Sequence, residues 1–126
     1  MRVVDTSAWI EWVLGTPLGQ RVASELPSPE QWIVPTIVQF ELARWLAREI
    51  SAKASAEAIA FSNQNKVQVL DTDLATKAAD YAALHGLAMA DAIIYATAVD
   101  AGAELLTCDA HFQNLPGVIY LAKTTP

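Results

Sequence analysis

Four acidic side chains stand where this chain could do chemistry: Asp5, Glu41, Asp91 and Asp109. Asp5 follows the β-branched pair Val3-Val4, Asp109 lies just past Thr107 at the end of a second apolar run, and Asp91 opens an apolar helix that leads into that run. On a helical wheel the neighbours of Asp91 are Ile94, Tyr95 and Ala98, so its carboxylate projects from an apolar stripe, where burial without a partner is costly. Glu41 sits about one and a half turns into a helix that starts near Thr36, too deep for a capping role. Carboxylates are hard oxygen donors, and they suit Mg²⁺ or Mn²⁺, ions that keep several waters for a phosphate to displace. Each position also has an ordinary structural account. Asp is a favoured N-cap, which suffices for Asp5 and for Asp109 taken singly; a helix-dipole role is open to Asp91, and a surface pair with Arg44 is open to Glu41. Asp71 and Asp73 read as caps of the helix after them, Cys108 as a small buried hydrophobe, and His111 as structural.

The elements that must position these residues alternate along the chain. Arg2-Val3-Val4 is a strand, Ala8 to Leu14 a helix, Pro17 to Leu26 a second helix, and Trp32-Ile33-Val34 a strand. A long helix runs from Pro35 or Thr36 to about Ile50, with proline tolerated in the first turn because its missing N–H has no partner there. Ala52 to about Asn65 is helical, Lys66 to Leu70 a strand, and Asp71 to His85 a helix closed by Gly86. Ala90 to about Ala101 is a nearly all-apolar helix closed by Gly102, Glu104 to Thr107 a strand, Asp109 to Asn114 a short helix, and Val118 to Tyr120 a last strand. Strands separated by helices imply an α/β fold, a mostly parallel sheet with helices on both faces. In such sheets ligands bind beyond the carboxyl ends of the strands, where strand order reverses, and Asp5 and Asp109 are strand-terminal.

Composition bounds the rest. The 126 residues fit one domain, 1–126, and 53% of them are hydrophobic with only 17% charged, so a core forms with apolar surface left for a protein partner. The longest stretch free of Asp, Glu, Lys and Arg, Ala110 to Ala122, is too short and too broken for a membrane span. Before Asp5 there is no room for the apolar stretch of a secretory signal, so a cytoplasmic protein is expected. One cysteine and two histidines cannot assemble a nitrogen–sulfur zinc site, which leaves oxygen to hold any metal. The net charge of −6 argues at first sight against nucleic acid, but two divalent cations would offset four of those charges at the site itself.

In order and spacing, Val3-Val4-Asp5-Thr6-Ser7, Pro35-Thr36-Ile37-Val38-Gln39-Phe40-Glu41-Leu42, Met89-Ala90-Asp91-Ala92-Ile93-Ile94-Tyr95-Ala96-Thr97-Ala98 and Leu105-Leu106-Thr107-Cys108-Asp109-Ala110-His111-Phe112 resemble the PIN-domain family. Within it they look most like the VapC toxins, over residue 2 to about residue 120. The resemblance implies a three-layer α/β/α fold with strand order 3-2-1-4-5, and a Mg²⁺- or Mn²⁺-dependent endoribonuclease that is the toxin of a toxin–antitoxin pair. It carries the acidic site over to Asp5, Glu41, Asp91 and Asp109, with Thr6, Ser7 and Thr107 at the hydroxyl positions beside it. Cys108 departs from the polar or charged residue that often precedes the last Asp. The chemistry of four acids agrees: two ions about 4 Å apart activate a water and stabilise the leaving 3′-oxygen of an in-line displacement, which leaves 5′-phosphate and 3′-hydroxyl ends. Without metal, crowded carboxylates push at least one pKa upward.

Arg44 and Arg48, beside Glu41, are candidates for contacts to an RNA backbone, with solvated surface arginines as the ordinary account. A catalytically silent RNA-binding or scaffold protein is one alternative, although none of the four acids is missing. A phosphoacceptor receiver domain is another, disfavoured because Asp5 has no acidic neighbour and the Trp32-Ile33-Val34 strand ends in Pro35. Four tryptophans exceed what so small a core easily encloses, and Trp is a preferred interface anchor. The expectation is a homodimer. The resemblance further implies a VapB-type antitoxin lying along the helices that bear Trp12 and Trp45, with a basic side chain near Asp5 and Asp91.

Overall fold

The computed structural model describes residues 1–123. Strand β1 (Arg2–Val4) leads through Asp5 into α1 (Thr6–Leu14) and α2 (Pro17–Ala23); a 3-10 turn (Pro29–Gln31) precedes β2 (Trp32–Pro35). Next come α3 (Thr36–Glu49), α4 (Ala52–Ser62), β3 (Lys66–Gln68), α5 (Thr72–His85) and α6 (Met89–Asp100). After α6 follow β4 (Glu104–Thr107), a second 3-10 turn (Ala110–Phe112) and β5 (Val118–Tyr120).

All four strand pairings are parallel, and the sheet order is β3-β2-β1-β4-β5. This is the order expected, and it differs from the 2-1-3-4-5 order of receiver domains, so that alternative falls on topology. β1 is central. Its successive residues Val3 and Val4 point to opposite faces of the sheet and neither has any exposure, so both faces are covered. The same holds in β4 for Leu105 and Leu106. From β1 the chain first builds outward to β2 and β3, then returns to lay β4 on the other side, which puts the reversal of strand order between β1 and β4. The register pairs Val4 with Leu106, so both strands end at one level and deliver Asp5 and Asp109 to the same crevice.

Helix α6 packs on β1 and β4, and α5 packs on α6 through Leu74, Ala78, Ala92, Ile93 and Ala96. Residues Ala92–Ala98 of α6 are buried without interruption, which explains why the sequence there is apolar all round rather than on one stripe. Helix α1 packs on α2 and α3. Its approach to α2 is close enough that a Cβ at Gly19 would lie 2.0 Å from the carbonyl oxygen of Glu11.

Several element ends differ from expectation, each for a local reason. Helix α1 begins at Thr6 rather than Ala8, because the Asp5 carbonyl already accepts from the N–H groups of Ala8 and Trp9. Of the two starts expected for the long helix the observed one is Thr36, and β2 runs one residue past Val34 so that Pro35 closes it. Helix α2 stops at Ala23, short of Leu26, where the Ser24 hydroxyl turns back to the Arg21 carbonyl. Helix α4 stops at Ser62, short of Asn65, where the Ser62 hydroxyl donates to the Ile59 carbonyl. Strand β3 ends at Gln68 because its partner ends opposite at Pro35; Val69 and Leu70 run on unpaired, and Leu70 N–H donates to Thr36 Oγ1. The helix expected over Asp109 to Asn114 is the single turn Ala110–Phe112.

Candidate active site

Asp5 sits at the helix-entry position of α1 but does not cap it. Its N–H extends the sheet ladder to Leu106 O, and its carboxylate turns toward β4, where Oδ2 accepts from Ser7 Oγ at 2.7 Å and Thr107 Oγ1 at 2.8 Å. The capping account therefore fails for Asp5. The two hydroxyls serve both strand ends: Thr107 Oγ1 accepts from the Asp109 N–H, and Ser7 Oγ accepts from the Cys108 N–H. Asp5 is 3% exposed, and burial pushes its carboxyl up to about 6. The two hydroxyls oppose that rise, while the charges of Asp91 and Asp109 add to it.

Asp91, in the first turn of α6, is partly buried and is also raised, by burial first and by Asp109 after it, with His111 opposing. Asp109 does cap its own short turn, accepting from the His111 N–H at 2.9 Å through Oδ1. Asp91, Asp109 and His111 each bring one ligand atom within 4.8 Å of the others. Glu41 enters from α3, where its Oε1 accepts from Thr6 Oγ1 at 2.8 Å, a bond that ties the residue next to Asp5 to the long helix. The surface pair of Glu41 with Arg44 does not form; Arg48 pairs instead with Glu49. Glu41, Arg44 and Arg48 line one groove of about 320 Å³ together with Thr6, Phe40 and Trp45. Asp71 caps α5 as expected, and Asp73 pairs with Lys77 rather than capping. Cys108 is buried, with its thiol pushed up to about 11, mainly by that burial.

Among the described residues no Lys or Arg pairs with Asp5, Glu41, Asp91 or Asp109. Acids drawn together, two of them held above their usual range and none paired with a Lys or Arg among the described residues, suit a divalent cation. His111 is the residue that sequence reasoning underrated. Read from the sequence as structural, it is an exposed side chain with its ring against two of the acids, and its one sequence signal is the spacing of two residues from Asp109.

Away from the acids, Trp9, Trp12, Val13 and Phe61 line an apolar groove of about 420 Å³. Trp9 and Trp32 are core residues, whereas Trp12 and Trp45 are partly buried. A third concavity, about 490 Å³, is lined by Leu70, Ala79, Ala82, Met89 and Ile93 among others on the α5–α6 side.

The model of the PIN domain family matches residues 2–118. Among solved structures, a toxin–antitoxin complex from Klebsiella pneumoniae superposes with a TM-score of 0.80 at 22% identity, over 94% of this chain and 96% of that one. VapC20 of Mycobacterium tuberculosis, described as a Sarcin-Ricin loop cleaving toxin, gives 0.72 at 22% identity over 89% and 92%. FitAcB from Neisseria gonorrhoeae gives 0.69 at 26% identity over 88% and 89%. No curated protein sequence matches the chain.

Proposed function

The chain belongs to the PIN-domain family, and from that premise we propose that it is a metal-dependent endoribonuclease, the toxin of a VapBC-type toxin–antitoxin pair. The observation that carries this reading is the convergence of Asp91 and Asp109 at the β1–β4 crevice, with Asp5 close enough to feel both charges and no Lys or Arg paired with any of them among the described residues. Asp91, Asp109, Asp5 and Glu41 would hold Mg²⁺ or Mn²⁺. When bound, such ions supply an activated water and polarise the scissile phosphate, so that cleavage leaves 5′-phosphate and 3′-hydroxyl ends.

The chain's own residues prepare that chemistry. Ser7 and Thr107 fix the Asp5 carboxylate in one rotamer and aim it at the crevice. Thr6 does the same for Glu41. With Asp5 raised to about 6, its proton is already lost at neutral pH, so the carboxylate is ready for a cation. Arg44 and Arg48 line the groove that also holds Glu41, and that shared lining supports the reading that they contact the phosphates of an RNA strand, Arg48 by leaving Glu49.

The toxin reading draws support from the structural neighbours, among them a toxin–antitoxin complex and the toxin VapC20. Trp12 and Trp45 border separate grooves beside α1 and offer apolar seats for a VapB-type antitoxin, whose basic side chain would enter near Asp5 and Asp91. The alanine-rich concavity of α5 and α6 supports a homodimer. No single helix among the described residues is long and apolar enough to cross a membrane, and a cytoplasmic site of action is part of the proposal. The test is incubation of the purified chain with a mixed RNA pool in Mg²⁺ or Mn²⁺, with the fragment ends mapped. Metal-dependent fragments with 5′-phosphates support the enzyme; intact RNA under both ions would favour a silent RNA-binding protein.

A further inference from the structure

We propose that His111 is a ligand of the same metal site and that it makes the site prefer a transition metal such as Mn²⁺ over Mg²⁺. The inference rests on the reading of the acids as a metal centre and adds a nitrogen donor to it. His111 Nδ1 lies 3.2 Å from Asp91 Oδ2 and 3.3 Å from Asp109 Oδ1. Two ligands side by side on an ion bonded at about 2.1 Å stand about 3.0 Å apart in an octahedral set and about 3.4 Å apart in a tetrahedral one. The His111 distances fall between those limits, so the ring nitrogen stands at ligand spacing from both carboxylates.

The main chain puts it there. Phe112, with no exposure, anchors the Ala110–Phe112 turn in the core, and the His111 N–H bonds to Asp109 Oδ1, which fixes where the side chain starts. The ring itself is 72% exposed; among the described residues its hydrogen-bond partner is Asp91, and Asp109 is in ion-pair contact with it. Without metal the ring holds Asp91 Oδ2 at hydrogen-bond distance; binding a cation would require the Nδ1–H tautomer to give way to the neutral Nε2–H form, which turns a lone pair on Nδ1 to the ion. An imidazole nitrogen adds little to the binding of Mg²⁺, which favours oxygen, and more to that of first-row transition ions.

The experiment measures binding rather than turnover. The full chain, His111→Ala, His111→Gln and Asp91→Asn are titrated with Mn²⁺ by following the free-ion electron paramagnetic resonance signal, and Mg²⁺ is measured by competition. Spin-echo modulation from a bound imidazole nitrogen is recorded on the Mn²⁺-loaded proteins. Removing a direct ligand should cost at least the roughly tenfold affinity that losing a group one contact further out typically costs. The expected result is that loss of Mn²⁺ affinity in both His111 variants, little change for Mg²⁺, and nitrogen modulation present in the parent and absent from His111→Ala. Parental Mn²⁺ affinity in His111→Ala, or a parent without nitrogen modulation, overturns the inference. Asp91→Asn separates the two levels: unchanged Mn²⁺ binding in that variant removes the metal centre itself, whereas lost binding there beside intact binding in the His111 variants removes His111 alone.

Discussion

The acids differ in what surrounds them, and single substitutions should expose the difference. Asp5→Asn, Glu41→Gln, Asp91→Asn and Asp109→Asn should each lower RNA cleavage by more than about 100-fold, beyond the usual cost of disturbing a group that only supports a ligand. Asp71→Asn and Asp73→Asn should stay near parental activity, since Asp71 caps α5 and Asp73 pairs with Lys77. A gel-based cleavage assay over all six variants checks this, with circular dichroism to establish folding. Asp5 also carries a pH signature. Its folded carboxyl is raised by burial to about 6 from an ordinary 3.8, so between those values the folded state holds a proton that the unfolded state has released. Its contribution to stability is therefore present below about pH 4 and lost as pH rises through about 6, a swing of about 3 kcal/mol. In metal-free urea unfolding, Asp5→Asn should gain about that much relative to the parent between pH 4 and pH 7.

Helix and strand identities follow from properties the chain displays locally. The β-branched runs at Val3-Val4 and Ile33-Val34 and the closing glycines Gly86 and Gly102, both at positive φ, mark the elements directly. What they cannot convey is contact between distant segments. The reach of Thr6 to Glu41 spans 35 positions and that of Thr107 to Asp5 spans 102, so Glu41, and Asp5 apart from its bond to the nearby Ser7, depend on partners that local pattern never links. The capping reading of Asp5 failed for that reason: a short polar side chain chooses between its own helix and a hydroxyl on the next strand, and only the sheet register brings that hydroxyl close. His111 was hidden in the same way, since Asp91 is 20 positions away from it. Gly19 is a further instance at this scale. It lies inside a helix that local pattern marks, but nothing local shows that it is the point where α2 lies on the Glu11 carbonyl. Gly19→Ala should cost on the order of 1–3 kcal/mol by forcing α1 and α2 apart, measured as a shift of the denaturation midpoint; an unchanged midpoint would mean that the helices separate freely.

At the scale of the whole molecule, function depends on which surfaces are covered. Met89 is 73% exposed at the rim of the apolar concavity on α5 and α6, and Met89→Lys should turn a dimer into a monomer by light scattering while leaving helix content unchanged. The tryptophans give the protein a property of another kind. Trp9, Trp12 and Trp32 stand with ring centroids 4.7–5.7 Å apart, whereas Trp45 enters no aromatic pair among the described residues. Indoles that close share their electronic excitation, so the trio should show a split circular-dichroism band and depolarised emission, and Trp45 should emit as an isolated chromophore. A partner seated on Trp12 would disturb the split band, while one seated on Trp45 would shift the isolated emission and leave the band intact. The two grooves beside α1 are thus distinguishable by colour and polarisation alone, with no label attached to the chain.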